Sequence, residues 1–203
     1  MAAPVGLDRD AVVDAAVEVL EEQGRVDAVT LRPVADRLGV RVQSLYAHVD
    51  GVEGLRRALA LRGLDALADT LTEAAIGRSG AEAVSAIVEA YLSFAAEHPG
   101  LWDATLRPPG DDPDLVAAMA RVTRPLDLVL ASAGFDETEA THWYRIVFST
   151  IHGFSVLRRD GNLTLEADPD GTAERITRMF TRELALASAE AVTPPGGRRS
   201  PRR

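Results

Sequence analysis

The sequence predicts an all-α protein of about nine helices, with a small three-helix domain at the N-terminus and a larger helical domain after it. Apolar residues recur three and four positions apart along most of the 203 residues, which is the spacing of one face of a helix. No alternating pattern typical of a strand extends beyond 162–165, and no segment of the chain repeats.

The composition excludes several kinds of site. The chain is 46% hydrophobic and 26% charged, as is usual for a globular protein. It has no cysteine, which rules out disulfides, thiol nucleophiles, thiolate zinc sites and iron–sulfur clusters. All 22 basic residues are arginine, and the net charge of -9 by itself speaks against a nucleic-acid partner.

No apolar run reaches the roughly 18 to 20 residues that cross a bilayer. Residues 1–10 have neither an apolar core nor a basic leader, so no signal peptide is predicted. A cytoplasmic protein with no membrane partner is therefore expected.

The first helix is predicted over 9–23, because its apolar residues share one face and its acidic residues lie opposite. Asp8 can accept hydrogen bonds from the free N–H groups at the start of this helix. Gly24 can end it in a left-handed conformation.

The next two helices are predicted over 31–38 and about 42–48. Thr30 is placed to cap the first of them, and Pro33 falls in its first turn, where a missing N–H costs nothing. Gly39 permits the sharp turn that separates the two helices.

Longer helical patterns fill most of the remaining chain. They start near residue 52 and continue over 81–97, 114–133, 137–158 and 171–190. The proline of His98-Pro99-Gly100 is expected to stop the pattern of 81–97. Between the patterns, 101–106 reads as a short apolar turn and 108–113 as a loop.

These patterns predict three regions. Residues 1–50 form the three-helix domain, and residues 51–192 form the larger helical domain. Residues 193–203 are expected to be a flexible basic tail, because Pro, Gly, Ser and Arg cannot bury a core.

Residues 30–48, TLRPVADRLGVRVQSLYAH, have the spacing of a helix-turn-helix. Ala35 is small where two helices touch, Gly39 permits the turn, and Leu45 closes the core from the third helix. Two helices of about two turns are not stable alone, so the first helix must supply the third wall. The other apolar residues of this small core are Val34, Leu38 and Val40.

The surroundings of this motif favour DNA as its partner. Residues 30–62 hold six arginines against three acids, although the whole chain is acidic. The affinity for DNA is therefore expected to fall steeply with salt. The outward face of the third helix carries side chains that read base edges or contact phosphates: Arg41, Gln43, Ser44, Tyr46 and His48.

The stretch VADRLGVRVQSLYAHVDGVEGL resembles the N-terminal DNA-binding domain of TetR-family transcriptional regulators. The element Leu45-Tyr46-x-His48 is its most specific part. The other matching residues are Thr30, Val34, Ala35, Leu38, Gly39, Val40 and Leu55.

The resemblance implies that 42–48 lies in the major groove. It places Arg41, Val42, Gln43 and Ser44 in the groove, Tyr46 and His48 on phosphates, and Thr30 and Arg32 on the DNA backbone. Val52 departs from the family, since many members have a phosphate-binding lysine at this position. Arg56 or Arg57 could take over its contact.

The larger domain resembles the TetR branch named for a Trp-His-Gly element. The relevant stretches are Phe94-x3-His98-Pro99-Gly100-Leu101 and Ile151-His152-Gly153-Phe154, with Ile151 in place of the tryptophan. The family resemblance implies that this domain binds a ligand and forms a dimer.

The aromatic residues of the larger domain are candidates for a ligand pocket, although core packing is the commoner role of any single one of them. Gly153 within a helix costs about 1 kcal/mol relative to alanine, so close approach of a ligand or a partner helix is expected there. The candidate ligand-binding residues are Tyr91, Phe94, Trp102, Trp143, Tyr144, Phe148 and His152.

These features predict a dimeric, ligand-responsive transcriptional regulator that acts as a repressor. It would bind a palindromic double-stranded DNA operator through 42–48 and be released by a small apolar or aromatic effector. The homodimer is expected to form through the last two long helices. The alternative is a small-molecule-binding helical protein with weak or lost DNA binding, which Val52 and the acidic balance favour.

No pattern of an active site is present. The four histidines lack the spacing of metal ligands, and Ser149 with His152 lacks the nucleophile elbow of a hydrolase. No glycine-rich phosphate loop precedes a helix. Neither enzymatic activity nor a metal or cofactor is expected.

Overall fold

The computed structural model describes residues 7–192, with side chains up to residue 187. Within these residues the chain forms nine α-helices, one 3₁₀ turn at Val26–Ala28 and no strand, which confirms the all-α prediction. The predicted basic tail at 193–203 lies outside the described residues. The helices are α1 (Arg9–Gln23), α2 (Leu31–Leu38), α3 (Val42–Leu45), α4 (Gly51–Ala75), α5 (Gly80–Glu97), α6 (Pro99–Ala104), α7 (Pro113–Ser132), α8 (Glu137–Arg159) and α9 (Pro169–Val192).

Two predicted elements differ from the structure. The third helix was expected over 42–48, but α3 ends at Leu45 and the chain continues in turns. The N–H of His48 donates to the carbonyl of Leu45 at 2.9 Å, a tightened bond that ends regular helix. Residues 101–106 were expected to form a turn, but a helix begins at Pro99, because proline fits the first position of a helix.

The helix ends follow the predicted capping, with one exception. Asp8 Oδ1 accepts a hydrogen bond from the N–H of Ala11 at 2.8 Å, and Gly24 ends α1 with φ of 70°. Thr30 occupies the N-cap position of α2, but its hydroxyl forms no capping hydrogen bond. The Thr30 hydroxyl is therefore not used by the helix that it precedes.

The contacts within the chain form two compact units. The first unit contains the chain up to Leu71 together with Ser93–Thr123, and the second contains Thr72–Leu92 together with the chain from Arg124 onward. The divisions fall within α4, α5 and α7.

The first unit contains the helix-turn-helix and its core. Val34 and Leu45 are fully buried, and Leu38 and Val40 pack against the edge of the same cluster, as predicted. α1 closes this core, as the shortness of α2 and α3 requires. The residues that α1 contributes are Val12, Ala15, Ala16, Val19 and Leu20.

Helix α6 is held tightly within the first unit. A Cβ on Gly100 would lie 2.5 Å from the carbonyl oxygen of Leu20, and a Cβ on Gly63 would lie 2.5 Å from that of Leu101. Only glycine therefore fits where α6 meets α1 and where α4 meets α6. Contact this close places α6 against the backbone of both helices.

Two carboxylates fasten α6 to its neighbours. Glu21 of α1 accepts hydrogen bonds from the N–H groups of Gly100, at 3.1 Å, and Leu101, at 3.0 Å. Asp103 of α6 accepts one from the N–H of Val26, at 2.8 Å. Glu21 thus satisfies N–H groups at the start of α6, and Asp103 satisfies one at the start of the 3₁₀ turn. The first N–H groups of a helix have no partner within the helix itself.

The second unit is built around α8. One face of α8 is buried along its whole length, at the spacing that the sequence predicted: Trp143, Val147, Ile151 and Phe154. Phe180 and Leu184 of α9 are also buried. In the described part of the chain, no helix has the length and apolar character needed to cross a membrane.

Candidate nucleic-acid interface and aromatic cluster

The outer side of α3 forms an exposed polar surface, which we call the recognition surface: Arg41, Gln43, Ser44 and Tyr46. Tyr46 is 61% exposed although it is a large aromatic residue. Its neighbour Leu45 is fully buried and fixes α3 on the core, so the polar side chains point away from that core. Such a rigid helix bearing hydrogen-bonding groups can enter a DNA groove.

The other predicted DNA-contact residues differ in how exposed their side chains are. Thr30 and Arg32 are exposed at the start of α2, and His48 is half-buried after α3. Val42 is half-buried and packs against the core, so its side chain serves the fold as well as the surface. Arg32 also lies 3.3 Å from the carboxylate of Asp36, in an exposed pair that a phosphate could replace.

Most of the positive charge between residues 30 and 62 is already paired. Besides Arg32, four arginines contact carboxylates: Arg37 pairs with Glu18 and Glu22, Arg56 with Glu53, Arg57 with Asp112 and Asp114, and Arg62 with Asp14. Arg41 is the exception, because its side chain has no hydrogen bond or ion pair with another described residue. The recognition surface therefore carries one unpaired cation.

Arg57 illustrates the pairing. Its Nε and Nη2 donate to the two carboxylate oxygens of Asp112, and Nη2 also donates to Asp114 at 2.6 Å. The hydrogen bonds from Arg57 lower the pKa of Asp112 to about 2, and hydrogen bonds from Asp112 and Asp114 raise the pKa of Arg57. Arg57 is thus committed to the protein, and Arg56 donates to the carbonyl of Asp27 and to Glu53. Both arginines would have to leave these partners to contact a phosphate in place of the lysine that many family members have where this chain has Val52.

In the second unit, four of the candidate ligand residues lie together, and we call them the aromatic cluster: Tyr91, Tyr144, Phe148 and His152. The Phe148 ring lies edge-on to Tyr91, with centroids 5.6 Å apart, and 4.5 Å from the ring of Tyr144. The hydroxyl of Tyr91 lies 3.2 Å from Nδ1 of His152. The cluster offers apolar ring faces beside a polar pair.

Two polar groups of the cluster, the imidazole of His152 and the phenol of Tyr144, have pKa values shifted in favour of their neutral forms. Burial, and then the positive charge of Arg159, lower the pKa of His152. Burial, and then the negative charge of Asp127, raise the pKa of Tyr144. The cluster therefore presents a neutral imidazole and phenol groups, which suit an uncharged or weakly polar molecule.

The lowered pKa of His152 predicts how stability depends on pH. In the unfolded chain His152 binds a proton near pH 6.5, whereas in the folded chain it binds one only at a lower pH. The contribution of His152 to the free energy of unfolding is therefore complete above about pH 6.5, and it is lost as the pH falls below that value. Urea unfolding between pH 5 and 8 should show a smaller decline for His152→Gln than for the parent. The matched change His142→Gln, at an exposed histidine of the same helix, should leave the decline unchanged; an unaltered profile in His152→Gln would contradict the prediction.

The other three candidate ligand residues are not brought into the cluster. Phe94 and Trp102 belong to the first unit, where Trp102 is fully buried and the Phe94 ring lies 5.2 Å from His98. Trp143 is on the buried face of α8 and packs edge-on to Phe135, with centroids 5.8 Å apart. These positions are those of core residues.

Gly153 has no close neighbour within the described chain. A Cβ built there would meet no atom within 4 Å, so the protein's own packing does not require this glycine. Metal binding is a separate question. Among the described residues, no group of three or more His, Asp or Glu side chains could hold a metal ion.

A helix-turn-helix with an exposed polar surface, joined to further helices, is typical of transcriptional regulators, and the chain is similar to proteins of that class. Residues 84–180 match the tetracyclin repressor-like C-terminal domain. An HTH-type transcriptional regulator of Mycobacterium tuberculosis, itself uncharacterised, is 37% identical over 199 residues, which cover 97% of this chain and 88% of that protein. One of Bacillus subtilis, also uncharacterised, is 33% identical over 157 residues, covering 77% and 82%.

The chain belongs to the TetR family of transcriptional regulators. A solved structure of a protein of unknown function from Rhodococcus has the same fold, with a TM-score of 0.73 and 26% identity, covering 91% of this chain and all of that one. The similar proteins from Mycobacterium tuberculosis and Bacillus subtilis are both described as transcriptional regulators. TetR regulators bind DNA and small-molecule ligands, typically as dimers.

Proposed function

We propose that this chain is a dimeric repressor that binds a palindromic operator through α3 and leaves it when a small effector binds. The observation that carries the proposal is the recognition surface, where Arg41, Gln43, Ser44 and Tyr46 are exposed on a helix held by the buried Leu45. Arginine and glutamine pair with guanine and adenine edges, and serine and tyrosine hydroxyls reach phosphates. Arg41, whose side chain has no ion pair with a described residue, lies at the start of this helix.

A dimer is part of the proposal because two copies of α3 must reach successive major grooves, about 34 Å apart on the DNA. α8 carries a partly exposed stripe at helical spacing, which we call the α8 stripe: Ile146 and Leu157, which are exposed, and Thr150 and Gly153, which are half-buried. α9 exposes Met179 and Leu186, seven residues apart on one face. The open space beside Gly153 suits a partner helix that approaches closely.

The dimer proposal predicts that a charge in the α8 stripe separates the protomers. Leu157→Arg should weaken the dimer by at least about tenfold, because the interface would bury an unpaired cation. Sedimentation velocity over a range of concentrations measures this. Leu165→Arg is the matched control, since Leu165 is exposed outside α8 and α9, and it should sediment as the parent does. A parent that is monomeric at micromolar concentration would contradict the dimer.

For the effector, we propose the aromatic cluster as part of the binding site. Its neutral imidazole and phenol groups beside ring faces fit a small apolar or aromatic molecule with one or two polar atoms. Ile151-His152-Gly153 then corresponds to the Trp-His-Gly element of the branch that the C-terminal domain resembles. Release from DNA requires that the effector prefer one state of the dimer, with a coupling of about 1–3 kcal/mol.

The decisive experiment measures binding to DNA from the region upstream of the gene, by footprinting and fluorescence anisotropy. A protected palindrome is expected, and Gln43→Ala should weaken binding by about tenfold, since one bidentate base contact is worth 1–3 kcal/mol. Tyr46→Ala should weaken it across all sequences, because a phosphate contact carries no sequence information. Gln23→Ala, at an exposed glutamine near the end of α1, is the matched control and should bind as the parent does.

The second candidate function is a ligand-binding protein with weak or lost DNA binding, and the arginine pairing favours it. Five of the six arginines between residues 30 and 62 contact carboxylates, which leaves few cations for phosphates. On this account no palindrome is protected at moderate salt, and neither Gln43→Ala nor Tyr46→Ala changes the weak binding. The salt dependence separates the two functions, because its slope counts the phosphates neutralised.

A further inference from the structure

A cavity that the proposed function does not use lies in the second unit. This cavity is an open groove of about 330 Å³, which we call the α4–α7 groove. It is lined by the end of α4, the turn after it and the second half of α7. This volume is within the range of about 300–1,000 Å³ for small-molecule sites. Its main lining residues are Ile76, Arg78, Arg124, Pro125, Leu128 and Val129.

The centre of the groove is apolar. Pro125 and Val129 are buried beneath it, whereas Ile76 and Leu128 stand exposed beside it, by 69% and 60% of their surface. Single exposed apolar side chains are common, but two that line one concavity with a buried apolar floor form a surface that water solvates poorly. An apolar chain lying in this groove would cover both.

Two arginines give the groove a positive charge. The side chain of Arg124 is exposed and has no hydrogen bond or ion pair within the part of the chain that the structure describes. Arg78 is partly engaged, since its Nη1 donates to the carbonyl of Ala74 at 2.7 Å and its Nε lies 3.7 Å from the carboxylate of Glu82. Arg124 can therefore offer the planar donor edge that a carboxylate accepts.

We propose that the α4–α7 groove binds a small amphiphilic carboxylate. The apolar tail lies on Ile76, Leu128 and Val129, and the carboxylate accepts hydrogen bonds from Arg124, with Arg78 beside it. A cationic amphiphile is disfavoured by the two arginines, and a neutral one leaves Arg124 without its acceptor. No residue of the groove belongs to the aromatic cluster, so this is a second site, independent of the effector site proposed above.

Isothermal titration calorimetry of the full chain, without DNA, tests the proposal with three probes that share one tail. Octanoate should bind saturably at one molecule per chain, octan-1-ol should bind more weakly, and octyltrimethylammonium should not bind. Arg124→Gln should weaken octanoate binding by about tenfold, as expected for a hydrogen bond to a charged group. Leu128→Ser should weaken it through the tail, and Arg145→Gln, at an exposed arginine of the same unit outside the groove, should leave it unchanged.

Several outcomes would overturn the proposal. The absence of saturation by octanoate would remove the site, and octan-1-ol binding as tightly as octanoate would remove the carboxylate from recognition. Arg124→Gln could bind normally while Tyr144→Leu does not, which would place the ligand in the aromatic cluster. A change in sedimentation caused by Leu128→Ser, without octanoate binding to the parent, would instead assign the groove to a second copy of the chain. Because no arm uses DNA, failure here leaves the proposed operator binding standing.

Discussion

Gly100→Ala is expected to destabilise the first unit by about 3 kcal/mol, at the upper end of the usual cost of overpacking. The added Cβ would lie 2.5 Å from the carbonyl oxygen of Leu20 and 2.8 Å from its carbonyl carbon. Both are backbone atoms within a helix, so neither can move without shifting α1 or α6. The free energy of unfolding from urea titration, followed by tryptophan fluorescence, measures the loss.

Gly171→Ala is the matched control for this substitution. The nearest atom to a Cβ on Gly171 is the guanidinium of Arg175, 3.2 Å away at the end of a flexible side chain. The stability should therefore not fall, and it should rise by up to about 1 kcal/mol because alanine favours the helix over glycine. If Gly100→Ala were as mild as Gly171→Ala, α6 would not be seated against α1 as the structure has it.

The secondary structure could be predicted closely because most of its signals are local. Asp8 and Gly24 bound α1 by capping chemistry that acts within four residues, and both ends are where the sequence indicates. α6 was missed for a related reason. Pro99 can stop the preceding helix and can also fit the first position of a new one. The sequence does not reveal that five more helical residues follow it.

The recognition surface could also be predicted, but its electrostatics could not. Helical spacing alone separates buried Leu45 from exposed Gln43, Ser44 and Tyr46. The net positive charge of 30–62 was read from residue counts, whereas the pairing of Arg57 joins it to Asp112, 55 residues away. A contact of that separation leaves no periodic signal in the sequence, so the arginines looked more available than they are.

The aromatic residues show the same limit. Spacing along α8 correctly separated the buried face of Trp143 from the neighbouring stripe of Tyr144, Phe148 and His152. Helical spacing cannot show which aromatic residues of other helices contact that stripe, because those contacts join residues far apart in the sequence. Tyr91 meets it across 61 residues, whereas Phe94, on the same helix as Tyr91, belongs to the first unit.

Glu21→Leu is expected to cost about 2 kcal/mol in the free energy of unfolding, because hydrogen bonds to a charged group contribute about 1.5–3 kcal/mol each and these are only part-buried. The carboxylate accepts from both Gly100 and Leu101, and Pro99 has no N–H to offer. His98 provides no side-chain cap of its own. Leucine would fill a similar volume but leave both N–H groups at the start of α6 without an acceptor.

Glu22→Leu tests whether the loss belongs to this contact rather than to any glutamate of α1. Glu22 is exposed and pairs with Arg37 on the surface, a kind of pair that contributes at most about 1 kcal/mol. Hydrogen exchange adds a local readout, since the amides of Gly100 and Leu101 should lose protection in Glu21→Leu and keep it in Glu22→Leu. Equal losses of stability in the two variants, with both amides still protected, would mean that α6 is held by the close packing at Gly100 and Gly63 and not by the carboxylate.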